Sequence, residues 1–146
     1  MRELTLSREG ANKCFACGQE NPIGLKLGFR CQEGRAETEF IPGELYQGWP
    51  GIVHGGILYT LLDEAMGYAV YPQGVNCVTA TSEVRFKTPA PVGELLLITA
   101  RVTRKRKRLI EARASITLKD GTTVAECKAL MYVISEEPDA KNPGSY

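Results

Sequence analysis

Residues 48–70 read GWPGIVHGGILYTLLDEAMGYAV, and the architecture of the chain hangs on whether they form a helix. At about 100° per residue, Ile57, Leu58, Leu61, Leu62, Ala65, Met66, Ala69 and Val70 fill an arc wider than half the wheel. A surface helix shows a narrower apolar stripe. The helix predicted from Gly55 to Tyr71 is therefore expected to be wrapped on most sides. Tyr71-Pro72-Gln73-Gly74 stops it, and PGELYQGWPG (42–51) reads as the loop leading into it.

Outward from this helix, everything reads as strand. Before it, LKLGFRC (25–31) and RAETEFI (35–41) flank the turn-like QEG. After it come VTATSEVRF (78–86), LLLITARV (95–102), LIEARASITL (109–118) and VAECKALMYVI (124–134). TPAPVGE (88–94), the basic RKRKR (104–108) and KDGTT separate them, the last with Asp-Gly at its centre. Short hairpins make the sheet mainly antiparallel, with the helix on one face. The expected fold is α+β, one long helix against five to six strands. It occupies 25–135, after an irregular segment (1–24) and before a tail (136–146) expected to fray.

With 146 residues, 43% apolar and 24% charged, the chain can bury a real core as a soluble globule. Its net charge of +1 argues against a nucleic-acid binder. No run reaches the roughly 18 apolar residues of a membrane span, and MRELTLSREGANK has no apolar stretch of the signal-peptide kind. The cytoplasm is the expected location. Five scattered cysteines suit a reducing compartment better than a disulfide framework. Cys14 and Cys17 form a C-x-x-C, but a structural zinc site needs two further ligands close by. We read the pair as packed or half-exposed thiols and expect no metal.

Two glycines at the start of a helix leave unpaired backbone N–H groups open to close approach. They can stabilise an oxyanion, or they can simply permit tight packing. Asp63 falls just past one edge of the apolar arc, and Glu64 lies on the narrow polar side, where it reads as solvated. A carboxylate at an apolar border is costly unless paired or used. Gly56 and Asp63 are about 10 Å apart along a helix at 1.5 Å per residue. One helix therefore cannot present both to a single carbonyl, which must sit within roughly 3 Å of each. If both are catalytic, two copies of the helix meet in a twofold dimer.

VHGGILYTLLDEAMGYA, TATSEVRFKTPAPVGE and the hairpins that follow resemble the hot-dog fold acyl-CoA thioesterases, nearest the phenylacetic-acid-degradation type. CFACGQENPIGLKLGF (14–29) is similar to the opening of a bacterial group in that branch. The resemblance implies a long helix wrapped by an antiparallel sheet, and a homodimer, or a dimer of dimers, with sites at the subunit interface. It implies hydrolysis of an acyl-CoA. Gly55 would give the oxyanion N–H, Asp63 would act as general base or nucleophile, and Thr79 would hold the attacking water. It also implies that His54 shapes the turn and that Gln47, or Gly48 in place of an Asn, meets the thioester carbonyl.

Gly56 and Glu64 complete that neighbourhood. Coenzyme A phosphates would meet the basic run, with Arg104, Lys105 and Arg106, or Arg85 and Lys87, which share Thr79's parity on its strand. No metal or cofactor is implied, since coenzyme A is part of the substrate. Tyr59, Met66, Tyr68 and Trp49 either line an acyl pocket or belong to the core. Two other readings stay open: a non-catalytic acyl-CoA-binding protein, which need not keep Asp63 with Thr79, and a hydratase or dehydratase, which needs a histidine set against an acid.

Overall fold

A computed structural model describes residues 11–136. The first ten residues of the expected irregular segment, and the expected tail beyond Glu136, lie outside the described residues. Six strands and one long helix follow in the expected order: β1 (Arg30–Gln32), β2 (Arg35–Phe40), α1 (Gly55–Val70), β3 (Val75–Phe86), β4 (Leu96–Arg106), β5 (Leu109–Leu118) and β6 (Thr123–Glu136). All pairings are antiparallel, and the sheet order is β1-β2-β4-β5-β6-β3. β3 thus forms one edge. No helix among the described residues is long and apolar enough to cross a membrane.

The wide apolar arc of α1 is used almost throughout, with Ile57 partly buried at its start. Leu58, Leu61, Leu62 and every residue from Ala65 to Val70 are buried. Alternation in β5 turns Ile110, Ala112, Ala114 and Ile116 to the helix, and the strands beside it do the same with Ile98, Ala100, Cys127, Ala129 and Met131. Met66 and Tyr68 belong to this core rather than to a pocket wall. LKLGFRC contributes only two strand residues, Arg30 and Cys31, and β1 takes its third, Gln32, from the segment expected to turn. The earlier part of LKLGFRC is tied by Leu25 N–H to the Phe15 carbonyl and Leu27 N–H to the Ala16 carbonyl, which seats the 14–27 segment against the core.

Two further differences from expectation matter for the site. In β3 the register with β6 shifts between Thr79 and Thr81, leaving Ala80 as an extra residue. A bulge of this kind reverses the parity of everything beyond it. Thr79 faces α1, and so do Ser82, Val84 and Phe86, while Arg85 and Lys87 turn to the opposite face. The second difference is Glu64. Its flank of α1 is half-buried beneath the 14–27 segment instead of solvated.

Candidate functional site

The loop before α1 is built to start the helix at a defined place. His54 is the N-cap residue, and its Nδ1 accepts the Gly56 N–H at 2.8 Å. The His54 carbonyl takes the N–H groups of Ile57 and Leu58. Four N–H groups at a helix start lack i→i−4 partners; those of Gly56 and Ile57 are met by these bonds, and that of His54 goes to the Tyr46 carbonyl, which accounts for three of them. The Gly55 N–H has no acceptor among the described residues. The Phe86 ring lies 3.6 Å from where a Cβ on Gly55 would sit.

Around this amide, Gln47 Oε1 accepts the Gly51 N–H at 3.1 Å, which fixes the side chain in the loop and leaves its amide nitrogen as a donor. Gly48 sits against the His54 side chain and donates its N–H to the Ile52 carbonyl. Leu45 and Trp49 are 91% and 81% exposed and Phe86 is 57% exposed, so the mouth of the helix start is rimmed with uncovered apolar groups.

Asp63 stands on α1 two turns further on. Thr79 Oγ1 donates to its Oδ1 at 2.7 Å across a partly buried gap. No other hydrogen bond to Asp63 is made among the described residues. One turn nearer the helix start, the Tyr59 hydroxyl and Ser82 Oγ are 2.7 Å apart, so the bulged strand is pinned to α1 on both sides of Ala80. The negative charge of Asp63 reaches the Cys77 and Cys127 thiols. Both are pushed up to about 11, first by burial and second by that carboxylate.

The basic candidates divide. Arg85 contacts Glu83 at 3.5 Å, and Lys87 Nζ lies 3.0 Å from Glu126. Both are on the face away from α1, where Arg85 joins Arg35, Arg101 and Arg113 in a broad open groove. The expectation that they share Thr79's face fails, because Ala80 adds a residue to the strand. Such exposed pairs contribute about 0–1 kcal/mol each. Arg104, Lys105 and Arg106 end β4, all exposed, and Lys107, with φ of 55°, begins the reversal. Their end of the sheet is the Thr79 end, because Arg106 pairs with Leu109, Leu109 with Tyr132, and Tyr132 with Val78.

Glu64 does not join Asp63 and Thr79. It lies under the N-terminal segment, with Cys14 Sγ 3.8 Å from its Oε1. The Tyr59–Ser82 bond, the Phe86 ring at Gly55 and the thiols at Glu64 were not foreseen. The place of Thr79 beside Asp63 was expected only from the family resemblance.

An unpaired glycine amide at the start of a wrapped helix and a hydroxyl-held aspartate further along it stand on a fold that known proteins share. The profile of the thioesterase superfamily matches residues 50–125, more than half of the chain. The chain belongs to the thioesterase superfamily. It is 27% identical over 127 residues to acyl-coenzyme A thioesterase THEM4 of Rattus norvegicus, covering 86% of this chain and 54% of that protein. It is 29% identical over 96 residues to acyl-coenzyme A thioesterase THEM5 of Mus musculus, covering 66% of this chain and 39% of that one. The chain thus spans about half, or less, of the length of these curated relatives. The fold superposes on the E. coli PaaI protein from the phenylacetic acid degradation operon with a TM-score of 0.74 and 25% identity, over 77% of this chain and 83% of that one. The hot-dog architecture is therefore established.

Proposed function

We propose that this chain hydrolyses an acyl-CoA thioester to the free acid and coenzyme A. The observation that carries the reading is the pairing of a hydroxyl-held Asp63 with an unclaimed Gly55 amide in a thioesterase-superfamily fold. The Asp63 carboxylate either attacks the thioester carbonyl or draws a proton from water as it attacks. Thr79 orients that carboxylate and the water. The Gly55 N–H and the positive end of α1 stabilise the tetrahedral oxyanion, and its collapse expels the coenzyme A thiolate. Gln47 offers its amide nitrogen to the carbonyl, and Gly48 and Gly56 keep the approach clear. Arg104, Lys105 and Arg106, at the Thr79 end, meet the coenzyme A phosphates. His54 is spent on the helix cap, which leaves a hydratase or dehydratase without its histidine.

The two halves of this chemistry come from different subunits. Gly55 and Asp63 are about 12 Å apart along one helix at 1.5 Å per residue. β3 is an edge of 12 residues, and such an edge invites pairing with a second copy. A twofold dimer through this edge would cover the exposed Trp49 and Phe86 and set Gly55 of one subunit near Asp63 of the other. Five unpaired thiols accord with a reducing cytoplasm.

Release of coenzyme A thiol from a panel of acyl-CoAs, varied in chain length and aromaticity, tests the reading with wild type and Asp63→Asn. Hydrolysis by wild type that drops about 10²–10⁴-fold in the variant is the expected result. Binding without thiol release by the wild type would make the protein an acyl-CoA carrier instead.

A further inference from the structure

The 14–27 segment brings two thiols to a carboxylate that the catalytic reading does not use. Cys14 and Cys17 sit in a tight reversal, closed by the Gly18 N–H to the Cys14 carbonyl at 2.9 Å. Only glycine fits at position 18, because a Cβ there would collide with the backbone of Asn12 and Cys14. The chain beyond is tied back to the same reversal through Leu25 and Leu27, and Phe29 stacks on Tyr68 of α1 with ring centroids 4.2 Å apart. The backbone therefore holds both thiols against α1, where Glu64 meets them.

The ligating atoms of Cys14, Cys17 and Glu64 all lie within 4.8 Å of one another, with Cys14 Sγ 3.8 Å from Glu64 Oε1. No basic side chain among the described residues pairs with Glu64. A half-buried carboxylate with thiols for neighbours and no paired cation is costly to keep ionised. A metal ion would supply the missing positive charge. Sulfur and oxygen donors around a tetrahedral zinc stand about 3.4–3.8 Å apart, given metal–ligand bonds of about 2.0–2.3 Å. The cluster reaches that spacing by a contraction of about 1 Å.

We propose that Cys14, Cys17 and Glu64 bind a thiophilic divalent cation of the zinc class, with water in the fourth position, and that the ion staples the N-terminal segment to α1. Two thiolates and a carboxylate select zinc-like ions over magnesium or calcium, which prefer oxygen. Binding releases one proton from each thiol, while Glu64 enters as the carboxylate and no group changes oxidation state. The expectation of no metal rested on a C-x-x-C without further ligands nearby. The third ligand stands 50 residues from Cys14 and is supplied only by folding.

The test uses the untagged full chain, made metal-free and kept in reductant, then titrated with Co²⁺. The expected result is one Co²⁺ per chain with a thiolate-to-cobalt charge-transfer band. The band should be absent from Cys14→Ser/Cys17→Ser and bind more weakly in Glu64→Gln. Zn²⁺ should displace the cobalt and raise the Tm of the wild type, as any ligand specific for the folded state must, without raising that of the double variant. A wild type that shows no such band, or a double variant that keeps it, overturns the proposal. If the double variant does not fold, Glu64→Gln decides: unchanged cobalt affinity there removes Glu64 from the site and overturns the assignment.

Discussion

Thr79 Oγ1 donates to Asp63 Oδ1 at 2.7 Å, and the next residue, Ala80, bulges out of register with β6. On an unbroken strand, Thr79 would share a face with Arg85 and not with Ser82. The bulge lets one strand offer hydroxyls to α1 at both 79 and 82 while Val84 and Phe86 still turn inward. Thr79→Val removes the donor with little change in volume. We expect a stability loss of about 1 kcal/mol, the net worth of one such bond, and a fall in kcat of roughly tenfold, which corresponds to about 1.4 kcal/mol in the barrier. Thr79→Ser should restore most of both. Urea unfolding and thiol-release kinetics on the three proteins check this.

Gly55 is the first residue of α1, a position where proline is tolerated because its N–H has no helical partner. The residue before it, His54, already has the extended φ of −60° and ψ of 135° that proline requires of its predecessor. Gly55→Pro should fold normally and lose only the proposed oxyanion donor, with kcat down about 10²–10³-fold. Mixing Gly55→Pro with Asp63→Asn then tests the shared site. Neither is active alone, yet a mixed dimer carries one intact site. Random reassortment should recover about a quarter of wild-type activity. No recovery from well-folded, exchanging variants would argue that each subunit works alone.

The histidine cap should matter for stability. His54→Ala loses the bond to the Gly56 N–H, which costs about 1 kcal/mol for a typical N-cap. Tm should fall by about 2–4 °C in a chain of this size. Gly56→Ala should act similarly, because a Cβ there would lie 3.1 Å from His54 Nδ1 and push the ring off the cap. Scanning calorimetry distinguishes these from His54→Asn, whose side chain can still cap the helix.

Cys77 and Cys127 predict a loss of stability in alkali. Both thiols are raised from 9.0 to about 11, so between those values the folded chain keeps protons that the unfolded chain releases. Stability is then fully present below about pH 9 and declines as pH rises toward 11. Each group contributes at most about 1.4 kcal/mol per pH unit. Urea midpoints taken across that window should fall, and a flat profile would contradict the assignment. Asp63→Asn removes the second cause and leaves burial, so its thiols should titrate lower than in the wild type but above 9.0, as ¹³C NMR of labelled cysteine would report.

Much of this was legible in the chain itself. The α1 arc, the alternation in β5 and the Asp-Gly turn are local patterns, set by residues within a few positions of one another. They gave the order of elements and the antiparallel hairpins before any coordinate was known. The distance between Gly56 and Asp63 was equally local, since helix rise alone separates them. What failed was parity and cover. Alternation counted from Thr79 misplaced Arg85 and Lys87, because nothing within VTATSEVRF reveals a bulge that exists only against β6. Glu64 looked solvated, because a helical wheel contains no information about a loop 50 residues earlier.

The amino-acid sequence alone determined which segments are helix and strand, and that one helix cannot bring its first amide and its aspartate to the same atom. Periodicity and rise per residue are properties of the chain. Only the tertiary structure decided that Thr79 meets Asp63, that the Gly55 amide is left over once His54 has capped the helix, and that Cys14 and Cys17 close over Glu64. Those contacts depend on strand register and loop packing, which are fixed by competition among residues far apart along the backbone.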